Sequence, residues 1–163
     1  LFKEGDFVIL TPDAVRGIIE VKANLQNQGL TEVLTQANEN GKFIFSGKEY
    51  KKQSFFNGIF SFEGYNNNFN LDIFSENYTA SNLPFFEDDN YNQFKVNHVS
   101  LNENWFVKVW QEELHPHSLY NLNELSFSFF ISNLIDTLSN KSVQRNNFIW
   151  YATDKELDLR RQF

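Results

Sequence analysis

The chain has 163 residues, a length that suits one domain with a buried core. Aromatic residues make up 17% of it, including 19 Phe, which is too much apolar mass for a disordered protein. The formal net charge of −7 counts against a protein that only binds the phosphate backbone of nucleic acids, because such proteins are usually basic. It counts less against a metal-dependent enzyme, whose site is built from carboxylates.

Several residue types and patterns are missing from the sequence. Cys is absent, which excludes disulfides and thiolate metal sites and fits a cytoplasmic location. No apolar run reaches the roughly 18 residues that a membrane helix needs, and residues 1–6 do not resemble a signal peptide. Met is absent even at position 1, so we expect residues 1–163 to be the C-terminal part of a longer chain, folded as a single domain.

The N-terminal half alternates strand and helix patterns. Apolar runs at residues 7–10 and 17–22 predict two strands, separated by a turn at Pro12. Apolar residues at helical spacing predict a helix from residue 30 that either ends near residue 40 or runs on toward Phe45, and Gly41 favours the first end. Residues 55–62 predict a strand. Residues 69–78 predict a short helix whose inward side chains are Leu71, Ile73 and Phe74.

The C-terminal half begins with a polar linker at residues 82–92. Residues 95–101 and 105–110 predict a β-hairpin, and residues 112–120 carry no regular pattern. A broad apolar stripe at residues 122–138 predicts the clearest helix of the chain. An apolar stretch at residues 148–151 precedes a charged tail. The expected fold class is therefore α/β, with a mixed central sheet and flanking helices.

Glu20 and Lys22 are the residues that suggest chemistry. Alternate side chains of a strand share one face, so Ile19 and Val21 would point into the core while Glu20 and Lys22 project together from the other side. A carboxylate can hold a divalent cation, a neighbouring ammonium can position water and stabilise charge at phosphorus, and a second carboxylate would complete the site. The simpler alternative is an exposed ion pair on an edge strand, which contributes little.

The strand-borne Glu-x-Lys resembles half of the PD-(D/E)xK nuclease signature. Residues 7–25 (FVILTPDAVRGIIEVKANL) resemble the central segment of an uncharacterised bacterial domain family placed with these nucleases. The resemblance implies a restriction-endonuclease-like core, a Mg²⁺ or Mn²⁺ cofactor and DNA as the partner. It also implies Glu20 as a metal ligand and Lys22 as the group that orients the attacking water. A role in restriction or phage defence is an association of the superfamily.

The first acidic residue of that signature stays open. Asp13 follows Pro12 but lies close to Glu20 in sequence, whereas Asp6, at the start of the preceding strand, has a more comfortable spacing. The family resemblance suggests a third option, an Asp upstream of Leu1, in which case both core and site are incomplete in this chain. Gln36 or Glu32 on the following helix could add a water-mediated ligand.

Other polar and aromatic groups receive structural interpretations. Lys48, Lys51 and Lys52 could contact a DNA backbone, as could Arg160 and Arg161, but solvated surface positions are favoured for all five. His98, His115 and His117 could form a zinc site, but positions on surface loops are favoured for them. Phe127, Phe129 and Phe130 could stack on nucleobases, but positions in the core are favoured for them. Trp105 and Trp110 are also expected in the core.

The sequence thus predicts metal-dependent hydrolysis of phosphodiester bonds in DNA. The alternative is a non-catalytic interaction module, or a subunit of a homodimer or larger assembly, that keeps a nuclease-like fold. A positive groove beside Glu20 would favour the enzyme, and an exposed apolar patch would favour the module.

Overall fold

A computed structural model describes residues 2–4, 7–48, 55–66, 68–110, 116–139 and 159–163 of the chain. Its strands are β1 (Phe2–Glu4), β2 (Phe7–Ile9), β3 (Gly17–Asn24), β4 (Phe56–Glu63), β5 (His98–Ser100), β6 (Trp105–Val109), β7 (His117–Asn121) and β8 (Leu159–Gln162). Its α-helices are α1 (Leu25–Gln28), α2 (Leu30–Ser46), α3 (Leu71–Asn82), α4 (Tyr91–Phe94) and α5 (Ser126–Leu138). Short 3₁₀ turns form at Pro12–Ala14 and Leu83–Phe85.

The strands form a two-stranded hairpin and a six-stranded mixed sheet. β1 and β2 pair with each other, while the large sheet has the order β3-β4-β5-β6-β7-β8. β3, β4 and β5 run parallel, and the strands from β5 to β8 are antiparallel neighbours. The expected α/β class with a mixed sheet and flanking helices is therefore confirmed. β3 lies at one edge of this sheet, so Glu20 and Lys22 are on an edge strand.

Helices cover both faces of the sheet and divide the core into two main clusters. On one face, α2 and α3 pack Leu34, Phe74 and Tyr78 against sheet residues such as Ile59 and Val99. On the other face, α5 packs against the sheet through the aromatic and aliphatic cluster Phe56, Phe106, Tyr120, Leu122, Phe129 and Phe130. The large number of Phe residues is explained by this second layer, where rings meet edge to face.

Gly41 sets the separation between α2 and the sheet. A Cβ at this position would lie 2.4 Å from the Phe94 carbonyl oxygen and 2.5 Å from Asn57 Nδ2, so no side chain fits. Asn57 Nδ2 donates to the carbonyls of Ala37 (2.9 Å) and Phe94 (2.8 Å), which ties β4 to the helix. Gly41 is therefore an interior helix residue that permits close packing, and the prediction that α2 ends near residue 40 is wrong.

The structure differs from several other sequence predictions. Ile73, expected to face inward, is 55% exposed, and the C-terminal end of the α5 stripe is also exposed at Ile135 and Leu138. The predicted linker at residues 82–92 contains a 3₁₀ turn and the start of α4. β7 overlaps the segment expected to be irregular and β8 lies in the charged tail, while residues 148–151 fall outside the described part of the chain.

Within the described ranges, no helix combines the length and apolarity required to cross a membrane.

Candidate functional site

Glu20 and Lys22 lie side by side on β3. Lys22 Nζ is 2.8 Å from Glu20 Oε1. The Glu20 side chain is 30% exposed and the Lys22 side chain is 22% exposed. Both residues belong to the face of the strand that α2 covers, because their β4 partners Ile59 and Ser61 point to that face. The predicted common face of the acid and the base therefore agrees with the structure.

The apolar residues between them do not point into the core. Ile19 is 40% exposed and Val21 is 58% exposed, so the predicted inward orientation of these two side chains is wrong. The physical reason is the edge position of β3. α2 covers one face of β3. On the other face of the sheet, α5 packs against β4, β5 and β6 and leaves β3 uncovered.

A cleft of about 290 Å³ opens between β3 and α2 beside Glu20. Its apolar wall consists of Ile18, Ile19, Ala37, Phe43 and Ile44. Its polar residues are Glu20, Asn40 and Asn57. The cleft thus combines one carboxylate and two side-chain amides with a mainly aliphatic wall.

Asn57 contributes a buried acceptor to this wall. Both hydrogens of its amide nitrogen are used by backbone carbonyls, which fixes the orientation of the amide group. In the described structure its Oδ1 has no hydrogen-bond partner although the residue is fully buried. Buried polar atoms are nearly always paired, so this solvent-inaccessible oxygen is an exception in the wall of the cleft.

Of the two candidates within the chain for the first acidic residue, the described ranges contain Asp13 only. Asp13 lies in the 3₁₀ turn before β3, where it acts electrostatically on Lys48. Glu20 is three residues into β3 from Gly17, about 10 Å further along the sheet edge. Asp6 lies outside the described residues. No group of three or more His, Asp or Glu side chains in the described ranges could hold a metal ion.

The two helix residues named as water-mediated ligands have other contacts. Gln36 Nε2 donates to Asn40 Oδ1 at 3.2 Å, so it touches a residue of the cleft. Glu32, in the first turn of α2, folds back over Gly29. Of these two residues, Gln36 is therefore the one that contacts a residue lining the cleft.

Within the described ranges, the basic residues considered as phosphate contacts do not lie around Glu20. Lys48 is buried and donates to the carbonyls of Val15 (2.6 Å) and Pro12 (2.9 Å), so its predicted solvated position is wrong. Arg161 is exposed and pairs with Asp72 at 2.7 Å, in line with the surface position expected for it, as for the exposed Arg160. Lys51 and Lys52 are outside the described residues.

The histidines are not on surface loops as predicted. His98 and His117 are buried on β5 and β7, while His115 is outside the described residues. Burial, followed by the charge of Lys108, lowers the pKa of His98 to about 3. Burial, followed by the charge of Lys95, lowers the pKa of His117 to about 4. Strand pairing of their segments explains the burial.

The aromatic predictions are largely confirmed. Phe129, Phe130 and Trp105 are buried in the core. Phe127 is half-buried and packs against Phe60, with ring centroids 4.9 Å apart. Trp110 is half-buried at the end of β6, where Lys108 Nζ lies 4.3 Å from its ring centroid.

Comparison of the chain with family models, with curated proteins and with solved structures found no match. The site is therefore interpreted from its own geometry.

Sequence reasoning missed three residues of the cleft, Asn40, Phe43 and Asn57. Asn40 and Phe43 share a helix face with Ala37 and Ile44, a pattern that becomes visible only when α2 is continued past Gly41. Asn57 was detectable in principle as an amide inside an otherwise apolar strand, a position that needs hydrogen-bond partners.

Proposed function

We propose that this protein is a metal-dependent phosphodiester hydrolase that acts on DNA, with Glu20 and Lys22 in its active site. The observation that carries the proposal is the position of the pair, on one face of β3 and beside a cleft. The order of elements around the pair supports it. A strand pair precedes β3, α2 follows it, and β4 returns parallel to β3, as expected for a restriction-endonuclease-like core.

The oxygen atoms of the cleft fit a magnesium ion. Mg²⁺ keeps several water ligands and is commonly held by one or two carboxylates together with substrate phosphates. Glu20 would be the carboxylate ligand, since a carboxylate has about four lone-pair sites and the Lys22 contact uses one oxygen.

Each residue of the pair would have a defined role. A bound divalent ion supplies polarisation of the phosphate and a more acidic bound water. Lys22 would hold the attacking water and place positive charge beside the phosphate, where negative charge develops in the transition state. The half-buried position of Lys22 strengthens this effect, since it keeps the ammonium partly out of water.

The proposal is tested by nuclease assays with Mg²⁺ or Mn²⁺ on single-stranded DNA, duplex DNA and RNA. We expect Glu20→Gln and Lys22→Met each to reduce cleavage by about 100-fold or more, the usual effect of removing a metal ligand or a charge-stabilising group. Lys42→Met is the matched control, because Lys42 is exposed and pairs with Asp88 away from the cleft. Equal cleavage by the wild type and both site variants, or cleavage that persists in chelator, would reject the proposal.

A second candidate function is favoured by an exposed apolar face. Ile19 and Val21 on β3 and Phe62 on β4 are 40%, 58% and 58% exposed, and Phe62 meets Phe127 of α5 at 6.4 Å between ring centroids. Surfaces of this kind often mediate association. A non-catalytic assembly subunit that pairs with a second copy through this outer face of β3 is therefore the alternative to the enzyme.

A further inference from the structure

Phe43 is an exposed aromatic residue placed at the candidate site. It is 77% exposed, more than any other large hydrophobic side chain in the described ranges, and it lines the cleft that contains Glu20. Single exposed hydrophobic residues are common on protein surfaces, so exposure alone carries little. The position of the ring at the rim of a cleft, two residues from Gly41 and on the same helix face as Asn40, is what requires an explanation.

The cleft has the size and lining for one small planar group. Its volume of about 290 Å³ lies at the lower end of small-molecule sites, which begin near roughly 300 Å³. Ile18 and Ile44 form an aliphatic wall, while Asn40 presents an amide and the buried Asn57 lies behind the wall. A nucleobase has two apolar faces that stack on aromatic rings and an edge of donors and acceptors that amides recognise.

We propose that this cleft binds one unpaired nucleobase, stacked on Phe43 with its edge toward the amide of Asn40. The proposal rests on the proposed hydrolase function and narrows its substrate to nucleic acid with an unpaired base next to the scissile phosphate. A base inside a continuous duplex is already stacked, and its extrusion costs a few kcal/mol. Single strands are therefore the preferred substrate.

The charge of the protein makes a further demand on this mode of binding. With a net charge of −7 and the ammonium of Lys22 paired to Glu20, this mode of binding relies little on the displacement of counterions from phosphates. Stacking and amide contacts must carry the affinity. The binding constant should consequently fall only weakly with salt concentration, unlike that of a protein that makes many phosphate contacts.

The test is equilibrium binding by fluorescence anisotropy, in chelator so that no cleavage occurs, with a labelled single strand of about 12 nucleotides and its duplex. We expect the wild type to prefer the single strand. Phe43→Ala should weaken that binding by roughly 5- to 150-fold, the range for losing one base–aromatic stack, whereas Phe43→Trp should retain it. Phe86→Ala is the matched control, because Phe86 is also exposed (48%) but does not line the cleft.

The outcomes separate this inference from the proposed hydrolase. Phe43-dependent binding of the single strand without any cleavage supports the base site and rejects the hydrolase. Cleavage that depends on Glu20, combined with equal binding by Phe43→Ala and Phe86→Ala, rejects the base site alone. Tighter binding of the duplex, or no binding of either probe, also overturns the base site.

Discussion

Lys48 is the residue whose structural role departs furthest from its apparent one. In the sequence it belongs to a basic cluster, yet its ammonium donates to two carbonyls of the segment that leads into β3. Its burial lowers the pKa of the amine, and the charge of Asp13 opposes that shift. Lys48 thus holds the turn before β3 against the end of α2 and is unsuited to binding phosphate.

Replacing Lys48 should therefore affect stability. We expect Lys48→Met to lower the free energy of unfolding by about 1–3 kcal/mol, because two partly buried carbonyls lose their donor. Lys42→Met should change it by less than about 1 kcal/mol, since Lys42 forms an exposed ion pair with Asp88. Urea unfolding of the two variants beside the wild type measures the difference. Equal stability of both variants would contradict the assigned role.

At this scale the sequence predicted the pairing of Glu20 with Lys22 but not the direction of its neighbours. A spacing of two places side chains on one strand face whatever surrounds the strand. Which face is buried depends on the helices that cover it, and these belong to distant segments of the chain. The exposure of Ile19 and Val21 could therefore not be read from periodicity.

Among the elements, β3 combines an edge position with an apolar outer face. Its only strand partner in the described part of the chain is β4. Exposed apolar edge strands are prone to pair with other chains unless a charge or a bulge prevents it. Association through β3 is expected of the assembly subunit and is not required of the hydrolase, so it distinguishes the two candidate functions.

If β3 mediates assembly, Val21→Glu should abolish it. A charge placed among Ile19, Val21 and Phe62 would have to be desolvated in the interface. We expect concentration-dependent self-association of the wild type in sedimentation velocity, and a monomer for the variant. Ile73→Glu, at an exposed position of α3 on the opposite face of the sheet, should behave as the wild type. A wild type that stays monomeric at every concentration would exclude this assembly.

The elements differ in how well the sequence predicted them. β3, β4 and the β5–β6 hairpin have apolar runs of their own, so their existence was predictable. β7 and β8 were missed because their sequences, HSLYN and LRRQ, are polar at alternate positions and form strands through pairing. Pairing between distant segments is a tertiary effect that local propensity does not contain.

For the whole molecule, His117 links folding stability to pH. The pKa of His117 is about 4 in the folded state, against an ordinary value of 6.5. Between these values the unfolded chain binds more protons, so stability is present at neutral pH and is lost as the pH falls from 6.5 toward 4. The loss has an upper limit of about 1.4 kcal/mol per pH unit for this residue.

The variant His117→Phe should flatten this part of the stability profile. Phenylalanine keeps the stacking on Phe163 and removes Nε2, a buried atom without a partner in the described structure. The substitution also removes the hydrogen bond between the His117 ring and the Phe163 backbone, so stability at pH 7 should fall by about 0.5–1.5 kcal/mol. The difference in stability between pH 6.5 and 4.5 should become smaller than in the wild type. Chemical unfolding at several pH values provides the measurement. Profiles of equal slope for the two proteins would show that His117 does not titrate as proposed.

Gly41 limits how far substitutions can change the width of the cleft. The hydrogen atoms of this residue, rather than any side chain, define how near α2 comes to the sheet. Asn40 and Phe43 lie on the same turn of α2 as Gly41, so the distance between α2 and the sheet also sets the width of the cleft beside Glu20. Substitutions along the walls can alter what the cleft accepts, but its width is held by a position that a ligand never meets.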